Sequence, residues 1–265
     1  MKKWLQVEPW WPSVAVAALL CMASPSWAGA LPTGWVCTGA CGSTAADGDI
    51  SLSPAGNATF NYVTTAGGTT DGGTLANTSG STNGSNLITS AFTAAAGSTL
   101  KFYFDYITSD GAGYSDYGWA QLLDSTDAAV AVLFTARTES SGTIAPGVGL
   151  PTPAATLNPS SVPITPGTTF AALGSSSGTC YDAGCGNTGW IASSYTIQTG
   201  GTYKLQVGVS NYSDTSYDTA LAVDNVTVDN VQITPTQSVP EPASATLLGM
   251  GLAAFGMMRR RSSRG

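Results

Sequence analysis

Along several short stretches of this chain, apolar and polar residues alternate with a period of two. In TLKFYFDYI, Leu100, Phe102, Phe104 and Tyr106 fall on one face, and Lys101, Tyr103 and Asp105 on the other. In TYKLQVGVS, Tyr203, Leu205, Val207 and Val209 oppose Lys204, Gln206 and Gly208. Similar runs occur at ATFNYVT, WAQLLDS, AAVAVLFT, SSYTI and ALAVDNVTV, separated by Gly, Asn, Asp and Ser. An extended chain points successive side chains to opposite faces, so each run predicts a strand with one buried face. Helical periodicity is nearly absent. Many such strands joined by turn formers predict an all-β fold, an antiparallel β-sandwich. From Ser140 to Gly178 the chain is rich in Pro, Gly, Ser and Thr. That stretch reads as a long loop or arm inside the domain, because strong strands resume after it.

The two ends break this pattern. Lys2 and Lys3, the apolar core SVAVAALLCM and the small-x-small site SWA make residues 1–28 a secretory signal peptide. The expected partners are the Sec translocon and signal peptidase. At the other end, Ala243 to Met258 is sixteen uncharged, mostly apolar residues followed by Arg259, Arg260, Arg261 and Arg264. As a helix at about 1.5 Å per residue the run reaches roughly 24 Å, enough for a thin bilayer. The arginines keep the C-terminus cytoplasmic. Directly before the run stand Val239, Pro240, Glu241 and Pro242. A VPEP tetrad, a short apolar helix and an arginine cluster over residues 238–265 together resemble the PEP-CTERM sorting signal. The resemblance implies a transient inner-membrane anchor that the protease-transpeptidase exosortase removes on the outer face. It also implies a cell-surface or extracellular destination in an exopolysaccharide-associated envelope.

Residues 29–237 remain as the mature body, long enough for one large β-domain or two small ones. They hold fourteen acidic residues against three basic ones, Lys101, Arg137 and Lys204, a net of −11 where the whole chain carries −7. Such a body repels phosphate backbones, which excludes nucleic acid as a partner. Cys37, Cys41, Cys180 and Cys185 lie in CTGAC and CYDAGC. In an oxidising compartment an even number favours disulfides, and of three connectivities the local pairs close the smallest turns. A four-thiolate zinc site is the rival. The sequence has no histidine, no GxSxG elbow and no phosphate loop, which removes most nucleophile and metal chemistry. An Asp-dependent glycoside hydrolase stays open as a minor alternative, although no spacing selects a carboxylate pair.

One internal echo gives candidate binding residues. YSDYGWAQLLD and YSDTSYDTALAVD both begin Tyr-Ser-Asp and both end Ala-x-x-x-Asp. Each is an acidic, tyrosine-bearing loop leading into a strand, so the two are expected at one end of the sandwich. Tyr114, Asp116, Tyr117, Tyr212, Asp214 and Tyr217 are the candidate ligand contacts, with rings for stacking sugars and carboxylates for their hydroxyls. Trp119 and Trp190 are assigned to the core. Asp105, Asp110, Asp116, Asp218 and Asp224 are the candidate oxygen ligands of one structural Ca²⁺, against the reading of solvated turn aspartates. GTYKLQVGVSNYSDTSYDTALAVDNVTVD resembles the closing strands of galactose-binding-like jelly rolls. With FYFDYITSDGAGYSDYGWAQLL and CYDAGCGNTGWI it is similar to a group of exported PEP-CTERM proteins. That resemblance implies a fold and no activity. The expected function is therefore non-catalytic, structural or adhesive, with a carbohydrate-binding module as the alternative.

Overall fold

Alternating stretches become strands wherever one face finds apolar partners. The structure, a computed structural model, describes residues 29–233. The signal peptide, the VPEP tetrad, the apolar run and the arginine cluster lie outside the described residues.

The first strands are β1 (Val36–Thr38), β2 (Ala40–Thr44), β3 (Phe60–Thr64), β4 (Thr69–Thr70), β5 (Ser81–Ile88), β6 (Phe92–Ala94) and β7 (Thr99–Thr108). Then come β8 (Tyr117–Asp124), β9 (Ala129–Arg137), β10 (Thr156–Asn158) and β11 (Gly186–Asn187). The last are β12 (Ile191–Thr196), β13 (Gly201–Tyr212), β14 (Thr219–Val228) and β15 (Val231–Gln232). Helical turns among the described residues are limited to two short 3-10 segments, Ala112–Tyr114 and Ala171–Ser176. One antiparallel sheet runs β1-β5-β13-β8-β9, with β4 beside β5 and β6 beside β13. The other runs β10-β12-β7-β14-β3-β2, with β11 beside β7 and β15 beside β14. The all-β, two-sheet architecture is the one that the alternation predicts.

Between the sheets lie Leu100, Phe102, Phe104 and Tyr106 from β7 and Leu205, Val207 and Val209 from β13. Phe104 stacks on Phe134 of β9 with ring centroids 3.7 Å apart and planes within 6°. Burying such side chains contributes about 1.5–3 kcal/mol each, which is what holds two otherwise polar sheets together.

Two further clusters sit outside the sandwich. On the outer face of the β7 sheet, Ile107, Ala220, Ala222 and Phe60 pack against Phe170 and Leu173, with Ile50 and Trp190 beside them. Phe170 and Leu173 belong to the 140–178 arm, so the arm is a lid on that face. It is also more than a loop. It supplies β10, which pairs with β12, and it sends Ile144, Leu157 and Val162 into the main core. On the outer face of the other sheet, Trp119 and Tyr117 pack with Leu75. Trp119 donates from Nε1 to the Gly73 carbonyl (2.7 Å), and its ring lies over Gly208, where a Cβ would come within 2.5 Å of it. Trp119 is thus buried, but beneath the 71–79 loop and not between the sheets. Trp190 is half-buried in the arm's cluster, with its Nε1 donating to Ser51.

Candidate functional site

The C-terminal end of β7, the N-terminal end of β14 and the segment before β8 converge at one end of the sandwich. The two Tyr-Ser-Asp loops therefore meet. Their junction is Asp116, which is closed off from solvent. Its carboxylate accepts from the Tyr212 backbone N–H (2.9 Å) and from the Thr219 hydroxyl (2.5 Å), one loop's acid thereby tying down the other.

A third segment completes this end. Cys180 and Cys185 form a disulfide with Cα atoms 5.6 Å apart, and Cys37 and Cys41 form the other, at 6.1 Å. Both are local pairs. The 180–185 loop docks on the residues after β7 through two backbone bonds, Tyr181 N–H to Ser109 O and Ala112 N–H to Ala183 O, both 2.9 Å. Close docking depends on Gly111, where a Cβ would stand 2.7 Å from the Asp182 Cβ.

The outcome is an exposed tyrosine cluster. Tyr181 (49 % exposed) meets Tyr114 edge to face at 5.6 Å and Tyr217 (37 % exposed) at 4.8 Å. The Tyr114 phenol beside it raises the pKa of Tyr181 above the ordinary tyrosine value. Tyr217 has φ +54°, a left-handed conformation costly for a bulky side chain. Its neighbour Asp218 holds it there. The Asp218 N–H donates to Ser176 Oγ (3.1 Å), its carbonyl accepts from the Ser109 hydroxyl (2.8 Å), and its carboxylate accepts from Thr65 and Ser176. Three rings at a surface, one of them in a strained backbone, offer apolar faces and phenolic hydroxyls to a ligand.

Not every candidate residue takes part. Tyr117 is sealed, 1 % exposed, and its hydroxyl bonds Thr78 and Ser81 at 3.0 and 2.5 Å. Asp116 is likewise a strut. Neither can touch a ligand in solution, because the 71–82 segment and the β14 loop cover them. Tyr212 lies under the Arg137 guanidinium, 4.7 Å from the ring centroid, so one of its faces is occupied. Asp214 is half-buried beside the cluster, its carboxylate accepting from the Ser216 N–H (2.9 Å). Tyr181 is the residue that strand patterning overlooks. A ring inside a six-residue disulfide loop has no room to fold inward, and CYDAGC carries that signal.

The five candidate calcium aspartates are not gathered into one cage. Asp105 accepts from Thr188, Asp218 from Thr65 and Ser176, and Asp224 from Ser53 and from Asn57 Nδ2 (2.9 Å). Among the described residues no group of three or more acidic or cysteine side chains converges to hold a metal ion. Burial pushes the Asp105 carboxyl up to about 7, against the hydrogen bonds from Thr188. Asp110 is raised to about 6 by burial and by the charge of Asp214, and Asp116 is raised by burial together with Asp110. Each accepts an internal hydrogen bond, Asp110 through Oδ1 from the Gly111 N–H (2.7 Å), while Asp110 Oδ2 is buried without a partner.

The C-terminus decides what the chain shares with known proteins. Residues 238–262 match the PEP-CTERM protein-sorting motif. A PEP-CTERM signal implies an exported protein with a C-terminal membrane-anchoring sorting signal, processed by exosortase. Among curated proteins nothing matches the chain. Among solved structures it is similar to the cleaved K1 adhesin domain of Lys-gingipain from Porphyromonas gingivalis W83. That likeness has 12 % identity over 77 % of this chain and 94 % of that one, at a TM-score of 0.34. It is also similar to the enzymatically active domain of bacteriophage CBA120 tailspike protein 4, with 11 % identity over 74 % of this chain and 19 % of that one, at a TM-score of 0.32. A CBM4 structure is similar with 10 % identity over 74 % and 94 %, at 0.30. Likenesses this faint carry nothing about function across to this chain.

Proposed function

We propose that the mature protein is a non-catalytic adhesive component of an exopolysaccharide-associated surface or matrix, touching polysaccharide with Tyr114, Tyr181 and Tyr217. The observation that carries this reading is the exposed cluster itself, assembled from three separate loops and fixed by a disulfide. Aromatic faces at a surface without an apolar partner favour ligands that combine C–H faces with hydroxyls. The placement supports display. Ile233 bonds back to Val226 near the far end of β14 (3.0 Å), and the sorting motif begins at residue 238. Thr219, at the tyrosine end, lies seven residues earlier on the same strand, about 23 Å away at 3.3 Å per residue. A chain held by its C-terminal signal would therefore present the tyrosines away from the membrane. Within this reading the sandwich is a galactose-binding-like jelly roll, exported through Sec and trimmed by signal peptidase and exosortase.

A polysaccharide array probed with the exported protein tests the proposal. Tyr181→Ala and Tyr217→Ala should each weaken binding roughly tenfold, the worth of one aromatic face. A double variant that binds like the parent would remove the tyrosine end as the contact surface.

A further inference from the structure

The arm covers only part of the outer face of the β7 sheet. Over the N-terminal half of β7 that face stays open as a groove of about 560 Å³. Strand register sets one row of residues across it, from Thr156 on β10 through Ser194 on β12, Lys101 on β7 and Thr227 on β14 to Gln232 on β15, of which Thr227 is buried and donates its hydroxyl to the Lys101 carbonyl (3.4 Å). Four interstrand spacings make the row about 19 Å long. Tyr103 lies beside Lys101 on the same strand face, half-exposed. A bulge after Asp224 puts Asn225 into the left-handed region (φ +53°) and into the groove, where its side-chain Oδ1 accepts from Gln232 Nε2 (3.0 Å). Bulges of this kind re-aim a side chain out of the regular ladder.

The charge of the groove runs against that of the protein. No carboxylate lines it, in a body whose acidic residues outnumber the basic ones by eleven. The adjacent Asp224 is turned under the 53–57 loop, and Asp229 Oδ1 is taken by the Thr99 N–H (2.8 Å). Three cations stand among the described residues. Lys204 pairs with Asp127 at 2.7 Å. Arg137 lies over Tyr212 and donates to the carbonyls of Ser115 and Val148. Lys101 alone has no ion pair or side-chain hydrogen bond, and it stands at the middle of the row. An unpartnered ammonium amid hydroxyls, amides and one aromatic ring is matched by a polyhydroxylated chain that carries carboxylates.

We propose that this groove binds a segment of an anionic, uronate-bearing polysaccharide, with Lys101 as its ionic contact. The site is separate from the tyrosine end and does not depend on it. A row of hydroxyls and amides with no apolar pocket suits a sugar chain better than an acidic peptide, whose side chains need pockets. The full chain, purified in detergent, is run in native gels cast with polygalacturonate, hydroxyethylcellulose or poly-glutamate. Polygalacturonate retards the parent, and 0.5 M salt, with a Debye length of roughly 4 Å, relieves the retardation. Lys101→Glu binds roughly tenfold more weakly or worse, and Lys101→Gln falls between it and the parent. Tyr181→Ala keeps its polygalacturonate retardation. Unchanged binding by Lys101→Glu, or equal retardation of the Tyr181→Ala variant by hydroxyethylcellulose or by poly-glutamate, would each overturn the assignment. Loss with Tyr181→Ala but not with Lys101→Glu would leave the tyrosine reading standing and remove this one.

Discussion

Lys101, Tyr103, Asp105 and Ile107 leave β7 on the same side of the sheet, yet the first pair meets solvent and the second is sealed. What separates them is the arm. Phe170 and Leu173 cover Ile107 and its neighbours, and the cover stops before Lys101. The sealed half pays for its acid with hydrogen bonds from Thr188 and a carboxyl raised to about 7. The open half keeps a charged ammonium with no partner. One sheet face thus does two jobs. Its packed part fixes the loops of the tyrosine end, and its bare part stays available to a ligand.

Removing the cover should have the largest effect. Phe170 is wholly buried, 6.1 Å from the Phe60 ring and 5.6 Å from Tyr62. Phe170→Ala should cost about 3–5 kcal/mol in urea denaturation, the usual price range of a buried phenylalanine. A loss under about 1 kcal/mol would mean that the arm rests on the sheet without sealing it.

The acid beneath the cover gives the next effect, and its sign is fixed. The folded pKa of Asp105 lies near 7 and the ordinary value near 3.8, so the folded state holds a proton that the unfolded state releases between them. Stability is then fully present below about pH 4 and falls as pH rises through about 7. Asp110 and Asp116 are raised too and add with the same sign. The melting temperature should therefore drop from pH 5 to pH 8, by roughly 5 °C or more for a domain of this size. Asp105→Asn keeps an oxygen for Thr188 and loses the titration, so its curve should be distinctly flatter. A variant curve parallel to that of the parent would show that Asp105 is not the group that titrates.

The sequence makes one half of this picture visible and hides the other. Period-two alternation in TLKFYFDYI places Leu100, Phe102, Phe104 and Tyr106 between the sheets, where they lie. The same alternation puts Asp105 with Lys101 as polar and outward. It cannot register that Phe170, 65 residues further on, closes over one and not the other. The arm reads as a loop because Pro, Gly and Ser dominate it, although a few of its apolar residues do the covering. Likewise Tyr117 and Tyr217 stand in similar tyrosine-rich, acidic loops. Only the 71–82 segment, which bonds the Tyr117 hydroxyl, decides that one ring is internal and the other exposed. Meeting of the two echo loops was legible, because each leads into a strand in the same way. Tyr181 joined them through a disulfide loop whose docking on Ser109 and Ala112 is a tertiary event.

The smallest effect belongs to the open half. Lys101 is exposed and its ammonium makes no hydrogen bond or ion pair, so Lys101→Gln should change stability by no more than about 0.5 kcal/mol. The change should also be the same at pH 5 and at pH 8, since Lys101 stands outside the sealed layer. Parallel urea titrations of parent and variant at the two pH values measure this. A loss approaching that of Phe170→Ala would mean that Lys101 supports the fold through the aliphatic stem that long cations lay along a sheet. A pH-dependent loss would tie Lys101 to the buried carboxylates and erase the boundary between the two halves. Near-zero change at both leaves the boundary where the arm ends, and leaves the ammonium free for something that is not part of the chain.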